Sequence, residues 1–202
     1  MLHYIPRLME NGKPVGILFT EEEGGKSTHL YCELIQKARF GESFIIKNQG
    51  CAVGSFVLGE TEISPENYYF ESKRYSNRTA AKRAVDALAR AVKRGSSIKI
   101  SPYLGADFDV LLLFLKPERA MRLIQASTYA KGCPVMIKTG GIASICSECT
   151  AYPSTGKLGI SLGCKGSRKH SKYPDDELVV GIPFQFAEEI EAALEKIPDT
   201  LE

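Results

Sequence analysis

Tryptophan is absent from the 202 residues, and histidine occurs only as His3, His29 and His170. So little histidine leaves few bases beside any catalytic cysteine. Long apolar runs are missing as well. The longest, Val110–Leu115, falls far short of the roughly 20 residues that span a bilayer. No charged-then-apolar leader opens the chain, so a cytoplasmic protein without membrane contact is expected. No internal repeat or long linker divides the sequence, and its length suits a single domain, residues 1–202, with a sizeable core. Six cysteines are too sparse for a disulfide-built mini-domain, which leaves reduced thiols, metal ligation or catalysis. In that compartment the Asn77-Arg78-Thr79 sequon carries no meaning.

Charge is present but uneven. Residues 72–99 carry nine Lys/Arg against Asp86 alone, a local charge of +8 in a chain whose net charge is +2. Most of it falls in an alanine-rich stretch, 79–94, that reads as a helix. Ala81, Ala84, Val85, Leu88, Ala91 and Val92 form its apolar stripe, with Arg78, Lys82, Arg83, Arg90, Lys93 and Arg94 opposite. The helix lacks stacking aromatics and the isoelectric point is only about 8.1, so a nucleic-acid interface is disfavoured. A solvated face, or a surface for a polyanion or an acidic protein, remains.

The rest alternates strand and helix signals. Residues 13–20, 43–47, 98–100, 108–115, 135–138, 158–162 and 178–182 read as strands. Residues from Ser27 or Thr28 to Phe40, 117–130 and the closing segment with Phe186, Ile190, Leu194 and Ile197 read as helices. Residues 65–76 read as irregular and tyrosine-rich. An α/β (or α+β) architecture follows, a mixed β-sheet with helices packed on it. Gly24-Gly25-Lys26-Ser27-Thr28 resembles a phosphate loop, but Thr20 stands where its first glycine belongs and Glu21-Glu22-Glu23 fill the loop. Those acids are capping chemistry for the helix that follows.

The stretch 140–168 holds the most chemistry. Gly140-Gly141 opens a short helix carrying Cys146 and Cys149, and Cys164 lies between Gly163 and Gly166 in a tight turn. On an α-helix Cys146 and Cys149 share one side, close enough for a common metal or a redox pair. One C-x-x-C is half of a zinc ribbon, so a third and a fourth ligand must come from elsewhere. Cys164 and the glycine-flanked Cys51 suit that need, and glycines let backbone N–H groups approach a cluster. Lys165, Arg168 and Lys169 offer positive charge beside the thiols. The competing reading is a set of inert packed thiols.

Taken together and in order, these elements resemble an uncharacterised prokaryotic family, domain of unknown function 169. The resemblance rests on Pro14-Val15-Gly16, Cys32 with Ala38-Arg39-x-Gly41, Cys51-x-x-Gly54 and Leu58-Gly59. It continues through Asp109-Val110, Pro117-Glu118, Met121 and Gln125-Ala126. Gly140-Gly141, Cys146, Gly163-Cys164-x-Gly166-x-Arg168, Asp176-Glu177-Leu178 and Gly181-Ile182-Pro183 complete it. It implies no activity, but it singles out Cys32, Cys51, Cys146 and Cys164 and leaves Cys133 and Cys149 outside the pattern. It also implies that the segment before Pro14 is short, so that an N-terminal helix is missing.

The leading expectation is a metal-thiolate site, iron–sulfur or zinc, in a redox or accessory protein, with Cys51, Cys146 and Cys164 as ligands and Cys32 or Cys149 as the fourth. The alternative is an enzyme whose nucleophile is Cys146 or Cys164, acting on a small anionic substrate held by Gly140, Gly141, Gly166 and Arg168. A third is a binding module using the basic helix. A small molecule, an acidic protein or a second copy in a homo-oligomer are the partners these readings allow.

Overall fold

The computed structural model describes residues 1–91 and 97–198. In chain order its strands are β1 (Val15–Thr20), β2 (Gly25–Lys26), β3 (Phe44–Asn48), β4 (Ser97–Pro102), β5 (Val110–Leu115), β6 (Gly159–Ser161) and β7 (Leu178–Pro183). The α-helices are α1 (Tyr4–Arg7), α2 (Tyr31–Arg39), α3 (Ala52–Leu58), α4 (Glu66–Glu71), α5 (Arg78–Asp86), α6 (Pro117–Thr128), α7 (Lys165–Ser171) and α8 (Phe184–Lys196). A π-helix covers Ser144–Ala151.

The described strands form one mixed sheet in the order β2-β3-β4-β1-β5-β7-β6. β2 runs parallel to β3, and the remaining neighbours are antiparallel. β5 explains why the sheet is covered on both sides. Its alternate side chains point to opposite faces, and all six are buried. Val110, Leu112 and Phe114 join a core under α2, α3, α5 and the π-helix. Leu111, Leu113 and Leu115 join a second core under α1, α6 and α8. The mixed α/β sheet expected from the sequence is therefore the fold.

Several elements differ from the sequence reading for physical reasons. A helix does precede Pro14: α1 packs against α8, and the Glu191 carboxylate accepts the Tyr4 and Ile5 N–H groups at 2.7 and 2.9 Å. Residues 135–138 are not a strand; they have no ladder partner among the described residues and are largely exposed. Residues 66–71, read as irregular, are α4.

The basic helix is shorter than expected. α5 begins on an Asn77 cap, whose side chain accepts the Ala80 N–H at 2.8 Å, and ends at Asp86. Lys93 and Arg94 lie outside the described residues. Much of the remaining charge is engaged locally. Lys82 pairs with Asp86 at 2.8 Å, Arg78 lies over the Phe70 ring, and Arg90 pairs with Glu62 at 2.8 Å while covering Phe56. Among the described residues of that stretch, Lys82 and Arg90 are therefore paired with carboxylates.

Among the described residues no helix is long and apolar enough to cross a membrane.

The first core also encloses an ion pair. Arg39 on α2 makes a two-pronged contact with Glu177, Nη1 to Oε2 at 2.7 Å and Nη2 to Oε1 at 2.6 Å, with both side chains at most 4% exposed. Its Nε and Nη2 also donate to the Asn11 carbonyl at 3.0 and 2.9 Å. The guanidinium lies over Phe114, 4.6 Å from the ring centroid. This pair joins α2 to the turn before β7, and so fixes the two sides between which the cysteines gather.

Candidate functional site

Four of the six cysteines line one cleft. Cys32 comes from the start of α2, Cys51 from the cap of α3, Cys146 from the π-helix and Cys164 from the cap of α7. The cleft is walled mainly by apolar groups, among them Leu30, Val53, Tyr69, Ile142 and Ile145.

Each thiol is held by its local structure. Gln49, buried between α2 and α3, accepts the N–H of Cys51 at 2.7 Å and of Tyr31 at 3.1 Å through Oε1, and donates to the Cys51 carbonyl at 2.9 Å. Cys51 then caps α3, its sulfur accepting the Gly54 N–H at 3.4 Å. Cys164 does the same for α7: its sulfur accepts the Ser167 N–H at 3.3 Å, and Ser167 Oγ accepts the Cys164 N–H at 3.0 Å. Ser171 Oγ donates to the Cys32 carbonyl at 2.7 Å, tying α7 to α2.

Because Gln49 closes the Cys51 turn, Gln49→Ala is expected to cost about 1–3 kcal/mol by leaving buried backbone groups unpaired. Urea denaturation should show it, together with faster alkylation of Cys51. Unchanged stability and unchanged alkylation would contradict that role.

The π-helix decides which of its cysteines faces the cleft. It starts from Ala143 in the left-handed region (φ 51°), and the Glu148 and Tyr152 N–H groups reach back five residues to Ala143 and Ser147. A π-turn is wider than an α-turn, so residues three apart no longer share a side. Cys146 faces the cleft, whereas Cys149 is fully buried against β7 and donates to the Val179 carbonyl at 3.2 Å. The expected Cys146–Cys149 pair on one face is not formed. The segment fits because Gly159 and Gly181, paired across β6 and β7, leave room for the Glu148 and Cys149 carbonyls.

Glu148 fastens the same segment at its other side. It is almost fully buried and accepts from Thr139 Oγ1 at 3.0 Å, from the Gly140 N–H at 2.7 Å, and from the Ser161 hydroxyl.

The other sequence candidates separate clearly. Gly141 and Gly166 line the cleft; Gly140 lies beside it, on Glu148. Arg168 is not an anion holder: its guanidinium donates to the carbonyls of Leu162, Pro174 and Glu177 at 2.6, 2.6 and 2.8 Å and stacks on Tyr173. It clamps the loop that carries Cys164. Cys133 is exposed and lies away from the cleft. Sequence reasoning missed Arg74, Tyr68, Tyr69 and Tyr31, which also line the cleft. The tyrosine cluster of residues 65–76 was the available signal.

Electrostatically the thiols feel one another. Burial first, then Cys51, Cys164 and Cys32, push the Cys146 thiol well above its ordinary value. Burial raises Cys32 to about 11, against a hydrogen bond from Ser171, with Cys51 and Cys164 adding to the rise. Both thiols therefore keep their protons through the neutral range. In metal-free protein Cys32 is expected to resist iodoacetamide at pH 8 and to react only as the pH nears 11; full modification at pH 8 would contradict this.

Though they line one cleft, the sulfurs do not form a single-ion site: among the described residues no three Cys, His, Asp or Glu groups converge so as to hold a metal ion. Zinc needs four ligand atoms about 2.0–2.3 Å from one point, so the zinc version of the sequence expectation does not fit this arrangement.

Comparison with known proteins agrees with the residue pattern. No solved structure matches the chain. An uncharacterized protein of Methanocaldococcus jannaschii is 30% identical over 176 residues, covering 82% of this chain and 76% of the relative. The family model described as "Uncharacterised ArCR" matches residues 8–193. The chain belongs to that family, domain of unknown function 169.

Proposed function

We propose that the four-thiol cleft holds an iron–sulfur cluster and that the protein serves a redox or accessory role. One observation carries the reading: Cys32, Cys51, Cys146 and Cys164 come from four separate elements to one largely apolar cleft. The other three raise the proton affinity of Cys146, but the thiols do not converge as ligands of a single ion. A polynuclear cluster does not ask its thiolates to converge on one ion, because each cysteine binds a different iron.

Two further features support it. The backbone N–H groups on the Cys51 and Cys164 sulfurs are the kind of second-shell hydrogen bond that tunes a cluster's potential. The walls of the site are largely apolar. Thiols protonated in the metal-free state are no obstacle, since metal binding displaces the proton.

The reading is tested by anaerobic expression and iron and acid-labile sulfide analysis of single variants. Cys51→Ala, Cys146→Ala and Cys164→Ala are expected to lose most of the iron and sulfide, and Cys133→Ser to retain it. Equal content in all of them would overturn the assignment of ligands.

The second reading, a cysteine-dependent enzyme, is favoured only by the half-buried position of Cys164 beside Lys165. Selective alkylation of Cys164 below about pH 7.5 in metal-free protein would support it, and no reaction there would count against it.

A further inference from the structure

The cleft contains a cation that the thiols do not explain. Arg74 is half-buried in its wall and donates to the Tyr68 hydroxyl at 3.1 Å. Its guanidinium lies over the rings of Tyr68 and Tyr69, 5.1 and 5.5 Å from their centroids. Among the described residues it has no carboxylate partner, unlike Arg39 and Arg90. Ser144 lines the same cleft, and its buried hydroxyl has no hydrogen-bond partner among the described residues.

Stacking on two rings limits the rotamers of a long side chain and leaves guanidinium N–H groups for an oxyanion. An arginine kept in an apolar wall without a counter-ion is favourable where an anion supplies the missing charge.

We propose that Arg74 is the anion-recognition residue of this cleft. It binds the carboxylate or phosphate of a small organic anion whose apolar part lies against Leu30, Val53 and Ile142. The inference rests on the thiol cleft being the functional site but not on a cluster filling it. Arg74 thereby takes the role that the sequence suggested for Arg168. The anion would sit beside the thiols, within reach of whatever chemistry they support.

The test uses benzoate and phenyl phosphate as probes and benzyl alcohol as the neutral control, each titrated calorimetrically into the full-length chain. The iron content of every preparation is measured in parallel. Wild type is expected to bind one or both anions and not the alcohol; which anion binds distinguishes carboxylate from phosphate recognition. Arg74→Gln is expected to weaken that binding roughly 10- to 100-fold, the worth of a hydrogen-bonded charge, with Arg74→Lys recovering part of it. The lysine variant also serves if the glutamine variant fails to fold.

No anion binding by wild type, binding of the alcohol as tight as that of the anions, or Arg74 variants that bind like wild type would overturn the inference. Anion binding through Arg74 by iron-free protein would leave this inference standing while the cluster reading fell.

Discussion

Arg39→Ala is expected to destabilise the protein by about 3–5 kcal/mol, read as a lower urea midpoint at little-changed slope. Removing the guanidinium leaves the Glu177 carboxylate buried without a counter-charge and strips two donors from the Asn11 carbonyl. Almost none of that loss is screened, because both side chains are at most 4% exposed. The surface pair Lys82–Asp86, with both side chains about 60% exposed, is the comparison: Lys82→Ala is expected to leave the urea midpoint nearly unchanged. The double variant Arg39→Met/Glu177→Leu should recover most of the loss, since an apolar pair of similar volume replaces a buried ion pair at little cost. A single variant within about 1 kcal/mol of wild type would show that water reaches the pair.

Gly181→Ala is the second large effect. A Cβ at Gly181 would stand 2.0 Å from the Cys149 carbonyl oxygen and 2.7 Å from Pro153 Cγ. Both neighbours are held by the π-helix and the turn after it, so neither side has a flexible end to move. Overpacking of this kind costs about 1–3 kcal/mol, and occasionally more; the upper end is expected here. The same displacement would shift Cys146 in its cleft, so bound iron should fall along with stability. Gly25→Ala is the control, with nothing within 4 Å of its added Cβ, and is expected to change neither stability nor iron. Gly181→Ala with wild-type stability and iron would mean that the π-helix does not rest on the glycine pair.

These two positions show how far the sequence could be read. β5, with a continuous apolar run, and β7, closed by Pro183, are legible because a strand buried on both faces needs apolar residues at every position. Both Arg39 and Glu177 stand in the residue pattern that carried the family resemblance, but their pairing across 138 residues is a tertiary fact.

The cysteine site was legible in part. The pattern that separates Cys32, Cys51, Cys146 and Cys164 from Cys133 and Cys149 matches the division between cleft and non-cleft thiols. The π-turn was not legible, because nothing in the string from Ser144 to Ala151 distinguishes five-residue from four-residue hydrogen bonding. The room it needs comes from Gly159 and Gly181 on strands that come later in the chain. Arg74 and Arg168 show the same limit. Their roles follow from which carbonyls and rings surround each guanidinium, and spacing does not reveal that.

Iron K-edge X-ray absorption, recorded with the visible spectrum on anaerobically purified wild-type protein, tests the cluster reading most directly. The predicted result is a brown protein whose iron has sulfur neighbours and a short iron–iron distance, with four fewer alkylatable thiols than the metal-free chain. A colourless protein, free of iron after anaerobic reconstitution with iron and sulfide and with all six thiols alkylatable once unfolded, would contradict it.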